Sequence, residues 1–406
     1  MPNGCSVPRP RAIGTMQSGP EALARGAAVR AVGPLDRTIP MAEQIHHPTN
    51  DDVPRGLPQL PRPEVDLSVV LCTWQGERWI RVLLESIAAQ ERLPDELVVQ
   101  DDASNDATVE LIRAFAADAP FDVRLEVNRR RVGSTANFAL ALARCRGRYL
   151  ALADQDDVWY PSKLQCLAEE LDDDPTITVA FSDADLIGED GHRLGRRLWD
   201  TRQVGRTLRR HPVVPEELFA RRALTTGCTM LMRRRVLEAA LPFPQELDHP
   251  AAPMRHDRWL SLVAAAVGTV RAYPEPLLGF RLHEAQETGV LVGPALVGAL
   301  HRSAVEIAAD ADVDHGSSLL GRAAQLEAAA RRADLLGDFI EADALRRVAD
   351  GNRARARIGE HGDGLGDIRR AARYGAYPRS LPGMGSMAAD VVRVLRPNRG
   401  SRRATT

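Results

Sequence analysis

Apolar positions in this chain fall into short continuous runs separated by amphipathic stretches, and the alternation starts abruptly near residue 66. Leu67-Ser68-Val69-Val70-Leu71-Cys72 predicts a strand, and Arg78 to Gln90 a helix, because Ile80, Leu83, Leu84 and Ile87 recur at three- and four-residue steps. The pattern repeats. Glu96 to Gln100 predicts a strand and Asn105 to Ala117 a helix with Val109, Ile112 and Phe115 on one face. Val123 to Val127, Tyr149 to Ala153 and Thr176 to Phe181 predict further strands, and Ser134 to Cys145 and Lys163 to Leu171 further helices. Strands alternating with helices predict an α/β fold: a doubly wound, mainly parallel sheet with helices on both faces.

Beyond residue 184 the pattern weakens. Gly188 to Gly191 reads as a turn, Arg193 to Arg210 as a basic stretch, Thr225 to Met232 as strand-like, and Arg235 to Ala240 as a short helix closed by Pro242. An apolar helix should run from Trp259 to Val267, then a short strand before Pro274-Glu275-Pro276, then a last strand over Leu277 to Leu282. From about 296 to 375 the chain is rich in Ala, Arg and Leu. There Leu326, Ala330, Ala333, Leu336 and Ile340 predict an amphipathic helix pair broken near Gly337. Residues 1–64 hold 11 of the 27 prolines with little periodicity, and read as a disordered extension. The expected organisation is therefore an extension over 1–64, an α/β domain over 65–292, a helical C-terminal region over 293–375, and an arginine-rich tail over 376–406.

Candidate chemistry sits at strand ends. Asp154-Gln155-Asp156-Asp157 follows the apolar run ending at Ala153, where open α/β sheets hold their ligands. In extended backbone Asp154 and Asp156 share a side. Two carboxylates on one side repel unless a cation lies between them, and hard oxygen ligands suit Mg²⁺ or Mn²⁺. Asp101-Asp102-Ala103-Ser104-Asn105-Asp106 follows the second strand, so Asp101 or Asp102 is a candidate for hydrogen bonds from a base or ribose, while Asp106 favours a cap. The chain lacks G-x-G-x-x-G after the first strand and lacks G-x-x-x-x-G-K-[ST] altogether, which excludes a Rossmann dinucleotide site and a P-loop.

Composition removes other classes. A net charge of −2 and 4% aromatic residues argue against a nucleic-acid partner. The five cysteines, Cys5, Cys72, Cys145, Cys166 and Cys228, are scattered without a C-x-x-C pair, so neither a disulfide framework nor a zinc site is expected. No apolar run reaches the length of a membrane span and no signal-like apolar region follows the N-terminal arginines, so a soluble, cytoplasmic protein is expected. Arg393, Arg396, Arg399, Arg402 and Arg403 read as a solvated tail or as a contact with anionic lipid at the inner membrane face.

The segments Ser68 to Thr73, Asp101 to Asp106 and Asp154 to Asp157, in this order, resemble family 2 glycosyltransferases of the GT-A fold. Asn137-Phe138, Val158-Trp159, Lys163-Leu164 and His256-Asp257-Arg258-Trp259 are similar to the rhamnosyltransferase-like branch. The resemblance implies metal-dependent, inverting transfer of a sugar, rhamnose or another deoxyhexose, from a nucleotide-diphosphate donor to a cell-surface glycan or lipid-linked acceptor. It implies donor contacts from Thr73, Asp101, Asp102, Asp154, Asp156 and Arg281, and a metal held by Asp156, Asp154 and His283. Asp257 becomes the general base, with Gly227, Cys228 and Trp259 on the acceptor side. The helical C-terminal region would form a homodimer interface or dock on the membrane face. The competing readings are a nucleotidyltransferase, which also uses two spaced acids, and a scaffold that binds nucleotide-sugar without turning it over.

Overall fold

The computed structural model describes residues 63–201, 208–209, 213–214, 225–250, 252–283, 315–335, 339–358 and 364–373. The expected Pro-rich extension, apart from Pro63 and Glu64, and the expected 376–406 tail lie outside them.

Four parallel strands form the first half of the sheet: β1 (Val65–Thr73), β2 (Glu96–Asp101), β3 (Asp122–Val127) and β4 (Gly147–Asp154). Their connections are α1 (Ile80–Ala88), α2 (Thr108–Ala116) and α3 (Ser134–Ala143). Helix α1 buries Ile80, Leu83, Leu84 and Ile87, the set its spacing predicts. β2 is buried at all six positions, and its Glu96 is neutralised by Arg124 at 2.9 Å and Arg146 at 2.9 Å.

The chain then continues through β5 (Val158–Trp159), α4 (Lys163–Asp173), β6 (Ile177–Ile187), β7 (Arg193–Arg197), α5 (Leu198–Thr201) and β8 (Val213–Val214). A 3₁₀ turn at Gly227–Thr229 leads into β9 (Met230–Arg233), α6 (Arg234–Ala240), α7 (His256–Ala266) and β10 (Thr269–Arg281). The strand order is β3-β2-β1-β4-β9-β6-β10-β5, with β7 on β6 and β8 on β10. β9 runs antiparallel between β4 and β6, so two parallel blocks are joined through one reversed strand. The sheet is mainly parallel, as predicted.

Several details differ from the sequence reading. The strand-like Thr225 to Met232 is a turn followed by four residues of strand. The two strands expected around Pro274-Glu275-Pro276 are one strand, which pairs with β6 on both sides of the prolines and shifts register between Tyr273 and Pro276. Proline cannot donate to the ladder, so the pairing slips there without ending. Part of the basic stretch forms β7, antiparallel to β6.

Because the chain moves from β1 outward to β2 and β3 and returns to the other side of β1 as β4, right-handed crossovers place α1 and α2 on one face and α3 on the other. On the α3 face Phe138, Ala141 and Leu142 join a core with α7, where Trp259, Leu260 and Val263 are buried. The C-terminal helices α8 (His315–Leu335), α9 (Phe339–Ala356) and α10 (Gly364–Arg373) extend this layer. α8 contributes Leu326 and Ala330 to the same core, and its Gln325 Nε2 donates to Ala252 O at 2.6 Å. The break expected near Gly337 falls between α8 and α9.

Candidate active site

The strand order reverses between β1 and β4, so a crevice opens beyond their carboxyl ends. Register sets what lies there: Cys72 is opposite Asp154, and Thr73 is opposite Asp101. The crevice is a cleft walled by Thr73, Trp74, Asp102 and Asn137, with Asp154, Asp156, Arg255 and His283 across it.

The β1 and β2 loops brace each other. Gln75 and Ala103, both non-glycine, have φ of 51° and 61°. The strain is held by side chains: Gln75 N donates to Ser104 Oγ at 2.9 Å, and the Gln75 and Asn105 side chains pair at 2.7 Å. Asp106 takes the capping role expected of it, accepting from Thr108 N at 3.1 Å.

Asp101 is not brought to the cleft. It is fully buried, and its oxygens accept from Thr73 Oγ1 (2.7 Å), Ser104 N (2.8 Å) and Ser104 Oγ (2.7 Å). Asp102 does line the cleft, but its carboxylate also anchors the loop before α3. It accepts from Val132 N at 2.7 Å, Gly133 N at 2.8 Å and Asn128 Nδ2 at 2.9 Å. The two neighbouring acids therefore divide into a loop brace and a cleft wall.

The acidic turn after β4 sends its side chains four ways. Asp154 stays half-buried at the cleft, its carboxyl pushed up to about 6 by burial and by the charge of Asp156. Gln155 turns to the β1 loop. Asp156 meets His283, with Oδ2 2.6 Å from Nε2, and both line the cleft. Asp157 turns inward, is buried, and accepts from Arg281 N at 3.1 Å. Its carboxyl is pushed well above the usual range by burial and by Asp156 and Asp154.

Arg281 is a correction to the expected diphosphate contact. Its Nε donates to Asp156 O at 2.6 Å, and NH1 to Gly188 O at 3.1 Å and Glu189 O at 2.8 Å. With 3% of its surface exposed, its visible work is to fix the acidic turn under His283. The His283 ring is itself held against Trp79, centroids 4.3 Å apart.

On the opposite side, Gly227 approaches the start of α7 closely. A Cβ there would lie 3.3 Å from Asp257 Cβ and 3.4 Å from His256 Nε2. Asp257 is half-buried in the first turn of α7, where Oδ1 accepts from Arg258 N at 2.8 Å. It is not among the residues that line the cleft, and its negative charge contributes to the rise at Asp154. His256 is buried and stacks on Phe138 at 3.7 Å; burial pushes its imidazole down to about 4, so it is neutral.

Cys228 and Trp259, expected on the acceptor side, are both fully buried. Trp259 is fully buried, with Nε1 donating to Ala240 O at 3.1 Å, so it is core. The buried Cys228 thiol lies beside Asp154 and Asp157, their ligand atoms all within 4.8 Å of one another. Lys163, also fully buried, donates Nζ to Cys228 O at 2.5 Å and lies 3.4 Å from the Trp159 ring centroid. Burial pushes its amine down to about 7.

Arg131, Asn137, Arg255 and Gln155 went unassigned in the sequence reading. Arg131 stacks its guanidinium 3.5 Å over the exposed Trp74 ring. Arg255 immediately precedes the His256-Asp257 pair, and that adjacency was the signal available.

Residues 68–241 match the family model described as Glycosyl transferase family 2. The match covers less than half of the chain. An uncharacterised Mycobacterium tuberculosis protein is 33% identical over 219 residues, 53% of this chain and 59% of that protein. The chain thus spans about three fifths of that relative's length. An uncharacterised glycosyltransferase of Nostoc is 25% identical over 227 residues, 54% of this chain and 65% of its own. Among solved structures, S. aureus TarS 1–349 in complex with UDP aligns over 81% of this chain and 89% of its own, with 17% identity and a TM-score of 0.44.

Two donor sets among the described residues are open to a metal test. Asp154, Asp157 and Cys228 are close together, but burial raises the Cys228 thiol well above its ordinary value. A protonated soft thiol does not suit Mg²⁺ or Mn²⁺. Asp154, Asp156 and His283 offer hard oxygens and an imidazole on the cleft itself. Their two carboxylates repel each other, which is the charge a divalent cation would balance. This second set has the harder donors, with Asp156 and His283 in contact, but its ligand atoms are not gathered within 4.8 Å of one another as those of the first set are.

Proposed function

We propose that this chain transfers a sugar from a nucleoside-diphosphate donor to a hydroxyl of a glycan or lipid-linked acceptor at the cell surface, with inversion at the anomeric carbon. The sugar implied by the sequence resemblance is rhamnose or another deoxyhexose. The observation that carries the reading is that Asp154, Asp156 and His283 line one switch-point cleft, in a chain whose residues 68–241 match the Glycosyl transferase family 2 model.

In this reading the nucleoside lies along Thr73 and Asp102, and the diphosphate reaches Asp154, Asp156 and His283. A bound Mg²⁺ or Mn²⁺ would neutralise the charge that develops on the leaving diphosphate. Asp257 takes the proton of the acceptor hydroxyl as it attacks the face opposite the leaving group. Gly227, lacking a side chain, leaves room for that approach. Lys163 holds the Gly227–Thr229 turn through the Cys228 carbonyl.

No described helix is long and apolar enough to cross a membrane. A cytoplasmic enzyme working at the inner membrane face belongs to the same proposal.

The test is donor turnover. Release of nucleoside diphosphate from dTDP-, UDP- and GDP-sugars is measured with a hydroxyl acceptor, and the product's anomeric configuration is read by NMR. One donor consumed with inversion supports the reading. Retention of configuration, or no turnover of any donor by folded protein, overturns it.

A further inference from the structure

We infer that Trp79 is a positioning residue of the cleft: its indole sets where the His283 imidazole stands, and through that ring it governs how tightly the donor is held. This role rests on the proposed function, which brings the donor diphosphate to His283, and adds what keeps that ring in place. Trp79 itself is not among the residues that line the cleft.

Trp79 belongs to the loop between β1 and α1, where its N donates to Gly76 O at 3.1 Å. His283 lies two residues past the end of β10. The two rings meet with centroids 4.3 Å apart and planes tilted by 39°. The His283 side chain is only 6% exposed, yet its Nε2 stands 2.6 Å from Asp156 Oδ2 on the cleft wall. A ring packed this closely can shift only if its neighbour gives way. What fixes the indole therefore fixes the imidazole.

The indole is held at its edge and over its face. Nε1 donates to Glu189 O at 3.3 Å, in the turn between Gly188 and Gly191. The Arg78 guanidinium lies 4.5 Å from the ring centroid and pairs with the Glu189 carboxylate at 2.6 Å, so the ring and its acceptor are clamped together. Glu189 O also accepts from Arg281 Nη1 at 2.8 Å, and Arg281 Nε donates to Asp156 O at 2.6 Å. One carbonyl thus sets both partners of the Asp156–His283 contact, the first through Arg281 and the second through Trp79. A residue serving stability alone would not need that shared anchor.

The test measures donor affinity of the full chain from the concentration dependence of the thermal shift, using dTDP-, UDP- and GDP-sugars with Mg²⁺ or Mn²⁺. Wild type is compared with Trp79→Ala, Trp79→Phe, His283→Ala and the Trp79→Ala/His283→Ala pair. Trp79→Ala should weaken the donor about ten-fold. Trp79→Phe keeps a ring against His283 and should restore most of that affinity. Once His283 is alanine, Trp79→Ala should weaken the donor by less than about two-fold more, because the residue it positions is gone. If Trp79→Ala does not fold, Trp79→Leu, which keeps apolar bulk without a ring, takes its place in every comparison. Wild-type affinity in Trp79→Ala while His283→Ala is weakened, or losses that multiply in full in the pair, would overturn the positioning role alone. No donor shift in folded wild type, or an undiminished one in His283→Ala, would overturn it together with the reading of the site beneath it.

Discussion

The Gln155 side chain pairs with the backbone of Trp74 as a strand would, accepting from Trp74 N at 2.9 Å and donating to Trp74 O at 2.9 Å. One amide thus ties the acidic turn after β4 to the loop after β1. Gly76 makes room for it, since a Cβ there would lie 2.4 Å from Gln155 Oε1. Gln155→Ala leaves two backbone groups without their partner, at a cost of about 1–3 kcal/mol, and lets the cleft wall move. The expected result is a lower melting temperature and a raised donor KM, with Gly76→Ala giving the same pattern. Wild-type donor KM in both variants would show that the tie does not shape the site.

Asp257→Asn removes the carboxylate proposed to take the acceptor proton while preserving shape. General-base loss costs roughly 10²- to 10⁴-fold in kcat. Donor-induced stabilisation should persist, because Asp257 is not among the residues that line the cleft. A variant with near wild-type kcat would assign the base elsewhere.

His256 gives a pH dependence of stability. Its imidazole titrates near 4 when folded, against about 6.5 unfolded, so between these values the unfolded chain binds the extra proton. Stability is full above pH 6.5 and falls as pH drops toward 4, by on the order of 3 kcal/mol. Chemical denaturation across that window should show the slope, and His256→Phe should flatten it. An unchanged slope in the variant would place the titration at other groups.

Lys163→Met keeps the bulk of a buried side chain and deletes its hydrogen bond to Cys228 O. The expected loss is about 1–3 kcal/mol of stability, with kcat falling more than donor KM changes, because the turn beside Asp257 loosens. Steady-state kinetics at saturating donor separate the two.

Much of the scaffold was legible because β1, β2 and β4 are buried on both faces and read as continuous apolar runs. Strand direction was not. Met230 to Arg233 reads as strand in either orientation, and only its placement between β4 and β6 reverses it. The prolines at 274 and 276 suggested an end, where tertiary pairing carries the strand through.

In the site, residue types marked the positions but not the side-chain directions. Asp101 and Asp102 are adjacent, so the alternation of the strand sends one inward to Thr73 and the other to the cleft. Arg281 looked like an anion ligand, yet three backbone carbonyls take its guanidinium. Trp259 is two residues from a candidate base in sequence, but two helical steps turn it to the opposite side of α7 and into the core. Arg131 had no pattern around it that separates a cleft arginine from a surface one, and Arg255 had only its adjacency to His256-Asp257.

The central claim is that Asp154, Asp156 and His283 hold the diphosphate of a nucleotide-sugar with a divalent cation. Thermal shift measures it most directly, with dTDP-, UDP- and GDP-sugars, each with Mg²⁺, Mn²⁺ or EDTA, on wild type and Asp156→Ala. A ligand bound only by the folded state raises the melting point with its concentration. The account predicts a shift that requires both the metal and one nucleotide-sugar and that disappears in Asp156→Ala. A shift that persists in EDTA and in the variant, or no shift with any donor on well-folded wild type, would contradict it.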